Sequence, residues 1–115
     1  MVRSFSQVLD LYRPLGKESY DSQQTYSMSV LDHVKLAQPS KGWTVSTNGS
    51  VQSVTATLYF NIDVSNAEPA FEPLFKVGDV IVRHGAEVSG ERFIVQSVTE
   101  QWLKGSLHHY EVVLA

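Results

Sequence analysis

Two adjacent histidines, His108 and His109, are the residues whose type first suggests metal chemistry. A zinc-like ion needs three or four N, O or S donors converging on one centre. Residues 107–114 read as a strand, and neighbouring side chains on a regular strand point to opposite faces, so the two imidazoles are expected apart. His33 and His84 are the remaining imidazoles, and no spacing brings them to this pair. No metal site is expected. Glu87, Glu91, Glu100 and Glu111 could supply a carboxylate pair for acid–base work. They fall on turns and strand faces, with no apolar pocket in the pattern to raise a carboxyl pKa. No serine occupies a Gly-x-Ser-x-Gly elbow, and Gly42, Gly49, Gly85 and Gly90 lack the spacing of a phosphate-binding loop. The chain has no cysteine, which removes thiol nucleophiles, disulfides and thiolate ligands together. The expectation is a protein without catalytic residues, cofactor or metal, and not an enzyme.

The elements that would position such groups are strands. Residues 8–15 alternate loosely around Leu9, Leu11 and Tyr12, with Pro14 and Gly16 too close to allow a stable helix. Tyr26, Met28 and Val30 alternate with serines, which predicts a strand with the serines on a wet face. The alternation slips between Leu31 and Val34, and a bulge at Asp32 and His33 would account for it. Residues 38–53 are polar and turn-rich, interrupted by Trp43, Val45 and Val51. A connection of that length is functional or disordered in most domains. Trp43 reads either as folding back onto the core edge or as an interface anchor.

Val54, Ala56, Leu58, Phe60 and Ile62 alternate with polar partners, the clearest strand of the chain, and its length suits a long curved barrel strand. Pro69 and Pro73 exclude regular ladder pairing in residues 66–73, while Phe71, Leu74 and Phe75 are expected to cap one end of a barrel. Strands are predicted over 79–83, 92–103 and 107–114, with residues 85–90 as a link and Lys104, Gly105 and Ser106 as a hairpin turn. The predicted fold is all-β: a small antiparallel β-barrel of about six strands with one or two long loops, formed by residues 1–115 as one domain.

Composition narrows the function classes. A formal charge of −3 gives no support for a polyanion-binding surface. A reader of nucleic acid on a small barrel would interleave aromatics with Lys and Arg, whereas Tyr59 stands among Thr57, Asn61 and Asp63. No apolar run approaches the roughly 20 residues of a membrane span, and no signal-peptide pattern opens the chain. It reads as a soluble protein made inside the cell, with no membrane partner.

The run Phe75-Lys76-Val77-Gly78-Asp79, then Glu91-Arg92-Phe93-Ile94-Val95-Gln96-Ser97-Val98, closing with His108-His109-Tyr110-Glu111-Val112, resembles the minor capsid proteins of long-tailed phages and prophages of Gram-positive bacteria. Residues 8–14 and 29–40 are compatible with it, and residues 43–53 match least. The resemblance implies a head–tail connector protein, similar to the small β-barrel stoppers that close the head beneath portal and adaptor. Its implied partners are portal, adaptor and tail proteins and further copies in a ring at the virion neck. Packaged DNA would pass or be plugged without sequence-specific binding. A long loop, residues 38–53 or 66–75, would then face the channel. The alternatives are a tail-completion or tail-terminator ring protein of the same virion and, in a different class, a cellular β-barrel ligand-binding module. Small barrels serve all three, because fold does not fix function.

Overall fold

A computed structural model describes residues 6–17, 24–37 and 56–115. Seven strands run in chain order: β1 Gln7–Lys17, β2 Gln24–Ala37, β3 Ala56–Asn61, β4 Asn66–Glu68, β5 Val80–Arg83, β6 Phe93–Leu103 and β7 Ser106–Leu114. All pairings are antiparallel. Six strands close a ring of hydrogen-bonded neighbours in the order β1-β5-β6-β7-β3-β2, with β2 returning to β1. The seventh, β4, lies outside the ring on the edge of β2. It was hidden by the prolines that follow it: three residues pair with Val30, Leu31 and Asp32, and the ladder stops where Pro69 brings no N–H. Trp43 and residues 38–53 lie outside the described residues, as do Val54 and Thr55.

The ring encloses one hydrophobic cluster. Leu11, Leu31, Val34, Leu58, Ile81, Val112 and Leu114 are wholly buried, with Phe60, Phe75 and Phe93 beside them. Strand β3 alternates buried and half-buried residues through Ala56, Leu58 and Phe60, as its pattern requires. It does not continue to Ile62, which is exposed, so the described strand is shorter than its alternation suggests. The chain turns there because the Asn61 side chain accepts the Asp63 N–H, and the Asn61 carbonyl accepts the N–H groups of Val64 and Ser65.

The slip in β2 is a bulge. Gln7 pairs with Val34 and Leu9 with Leu31, so two steps on β1 match three on β2. His33 takes φ 54°, and its N–H is held by the Asp32 carboxylate at 2.9 Å. The extra residue lets Leu31 and Val34 both face the core. The expected faces of the preceding residues are reversed. Ser29 is buried and Met28 exposed, because Ser29 shares the inner face with Leu31, and its hydroxyl donates to the Pro69 carbonyl at 2.7 Å. A buried serine so partnered costs little, and the alternation alone could not reveal that partner.

Strands β1 and β6 run in the same direction on either side of β5, and both continue past its first residue. Tyr12 and Ile94 pair with Val80, while residues 13–17 and 95–103 go on. Each then has one strand neighbour among the described residues, β2 for β1 and β7 for β6. Two arms therefore point to the same end: β1 with β2 as a two-stranded ribbon, and β6 with β7, which β3 backs as far as His109 and whose tip projects beyond it. Pro14 and Gly16, read as too close to allow a helix, both sit within β1, which runs past residue 15 to Lys17; proline is tolerated there because one edge has no ladder. The second arm closes on a two-residue turn, Lys104 and Gly105, both with positive φ, while Ser106 already pairs with Leu103.

Candidate interaction surface

Residues 69–79 enter β5 from the arm end and fill the space between the two arms. Their attachment to the first arm is strong. Asp79 is buried and receives the Arg13 guanidinium in two hydrogen bonds, 3.0 and 2.8 Å, plus the Lys76 N–H at 2.8 Å. Gly78 at φ 97° makes the turn that brings Lys76 and Asp79 together, a backbone conformation that glycine adopts without strain. The same guanidinium donates to the Leu74 carbonyl at 3.3 Å and lies 4.9 Å from the Phe71 ring centre. One arginine thus ties the whole segment to β1. A second buried carboxylate on β1, Asp10, does similar work at the other end of β5: it holds the Gly85 N–H at 2.9 Å and His84 Nδ1 at 2.8 Å.

Toward the second arm the contact is looser and a groove opens. Backbone bonds join Gly78 and Asp79 to Val95, and Phe75 packs edge-on to Phe60 and Tyr110 at 5.7 and 5.6 Å. Beyond them lies an open groove of about 380 Å³ lined by Glu72, Pro73, Leu74, Phe75, Val98, Glu100 and Tyr110. Phe71, Leu74 and Phe75, expected at one end of the barrel, pack on the core there. Burial raises the Tyr110 pKa above its ordinary value, and the nearby carboxylates of Glu100 and Glu72 add to the rise. Among the described residues neither glutamate forms an ion pair. Trp102 Nε1 donates to Glu100 Oε1 at 3.2 Å, so the indole stands beside the groove. Trp102 and Leu103 are 60% and 57% exposed at the arm tip. The surface offers apolar walls, two uncompensated carboxylates and a strand edge, which suits recognition of an apolar, cationic segment.

The residues first considered for chemistry are dispersed, with one exception. His33 sits on the β2 bulge, His84 beside Asp10, and Glu87 and Glu91 at exposed turn positions. Glu100 rims the groove, and Glu111 lies on β7. Among the described residues no group of three His, Asp or Glu is placed to hold a metal. The exception corrects the separation expected of His108 and His109, whose Nδ1 atoms lie 2.7 Å apart. Gln101 pairs with His109 but Trp102 pairs with Leu107, so β7 carries an extra residue at His108. That bulge removes the strict alternation. His109 Nε2 also contacts Glu111 Oε2 at 3.0 Å; with that nitrogen donating, Nδ1 accepts from His108.

The groove residues were legible only in pieces. Glu100 was visible as a carboxylate and Leu74 and Phe75 as apolar cap residues, but the sequence held no sign that Glu72, Val98 and Tyr110 join them. No family model matches the chain, and no curated protein or solved structure matches it either.

Proposed function

We propose that this protein is a structural subunit of the head–tail connector of a long-tailed phage, closing the head beneath the portal and adaptor and helping retain packaged DNA. The resemblance of residues 75–79, 91–98 and 108–112 to minor capsid proteins suggests the particle. The observation that carries the mode of action is the pair of arms at one end of a closed six-strand ring, each with an edge free of described strand partners and with exposed apolar residues, Leu15 on the first and Trp102 and Leu103 on the second. A ring-shaped core supplies rigidity, and such an edge suits pairing with a neighbouring subunit. Many weak contacts of this kind become strong when a ring closes on a portal template. In this reading the protein acts by assembly and steric closure and has no catalytic role.

Of the two segments that could face the channel, residues 66–75 are tied down by Ser29 and Arg13, which suits a fixed wall better than a moving plug. Phage particles assembled without this protein test the reading. DNA-filled heads that leak their genome and carry no tail are expected. Heads that keep their DNA but lack tails would favour the tail-joining position, and infectious particles with tails attached would overturn both.

A further inference from the structure

We propose that the second arm and the groove are the two halves of one contact: Leu103 and Lys104 of one copy seat in the groove of the next. The inference rests on the ring reading above and supplies its interface. The tip presents exposed Leu103 beside exposed Lys104, whose positive φ and that of Gly105 give a tight turn. The groove presents Leu74 and Val98 as apolar walls, with Glu72 and Glu100 beside them. Among the described residues Lys104 has no ion pair, and neither has either glutamate. Opposite charges and matching apolar surface thus face outward from two sites on one molecule.

The contact cannot form within a chain. Lys104 follows Glu100 along an extended strand, and four residues of strand span about 13 Å, which carries the tip away from its own groove. The tip and the groove are different surfaces, so the contact is heterologous: each copy uses both, and repetition gives a ring when the rotation closes. Strand β6 borders the groove through Val98 and Glu100, so an inserted tip also lies along the β6 edge.

Because the chain has no cysteine, introduced thiols report the contact without background. Purified Leu103→Cys protein is mixed with Leu74→Cys protein at about 0.5 mM and oxidised, and the mixed disulfide is measured. Val8→Cys, exposed on β1 at the end away from the arms, replaces Leu74→Cys as the control. The mixed disulfide is expected well above that control. Adding Lys104→Glu to the first protein is expected to lower the yield roughly fivefold, the scale of a partly exposed ion pair. Adding Glu72→Lys and Glu100→Lys to the second is expected to restore it. If Leu74→Cys lowers the melting temperature, Pro73→Cys on the exposed rim takes its place. A yield no higher than the Val8→Cys control, or one unchanged by Lys104→Glu, overturns the contact. Since purified protein is used, either result is independent of whether the protein resides in a virion.

Discussion

The two arms point to the same end of the ring, the first a two-stranded ribbon of β1 and β2 and the second backed by β3 as far as His109, yet only one is secured by buried charge. In the first, Arg13 is mostly buried and Asp79 fully so, and both carboxylate oxygens accept from within the chain, from Arg13 Nε and Nη2 and from the Lys76 N–H. In the second, Glu72 and Glu100 border a groove without a cation, and Trp102 and Leu103 project beyond the ring. The contrast separates charges that hold a fold together from charges kept for another molecule. A carboxylate buried without a partner costs several kcal/mol, so Asp79 requires Arg13; a glutamate at an open rim stays hydrated and can wait.

The largest break in this comparison is Asp79→Ala. It strands a mostly buried guanidinium and the Lys76 N–H, and a loss of roughly 3–5 kcal/mol is expected in chemical denaturation. Asp10→Ala removes the acceptor for the Gly85 N–H, while its His84 partner is largely exposed and adds little; about 1–2 kcal/mol is expected from the same measurement.

Tyr110 sharpens the comparison on the groove side. Its pKa is raised in the fold, so the neutral phenol is favoured there. Its contribution is fully present below the unfolded value near 10 and is lost as pH rises through the higher folded value. Melting temperature should therefore fall on going above about pH 10, and less steeply in Tyr110→Phe. An identical slope in both proteins would remove Tyr110 as the cause. The smallest stability effect belongs to Trp102→Ser at the exposed tip, within about 0.5 kcal/mol. If melting instead shifts as it does for Asp10→Ala, the tip is a packed element of the fold and the contrast between the arms fails.

Much of the architecture was legible because it obeys local rules. The slip from Leu31 to Val34 announced the bulge at His33, and the alternation through Ala56, Leu58 and Phe60 announced β3. Other features depend on residues far apart in the chain. Ser29 reads as a wet-face residue until Pro69 is placed above it, and Arg13 and Asp79 are 66 positions apart. The His108 bulge has no local signature, since two histidines fit either face of a regular strand. The groove is least legible of all, because it is assembled from residues 72–75, β6 and β7 only when the ring closes.

The central claim is most directly tested by immunogold electron microscopy on virions induced from the source strain and mildly disrupted into heads and tails. Label is expected at the neck of DNA-filled heads. Label at the head-proximal end of free tails would move the protein to the tail-joining position, and the absence of label on any particle, with the antibody shown to bind the purified protein, would contradict the connector reading altogether.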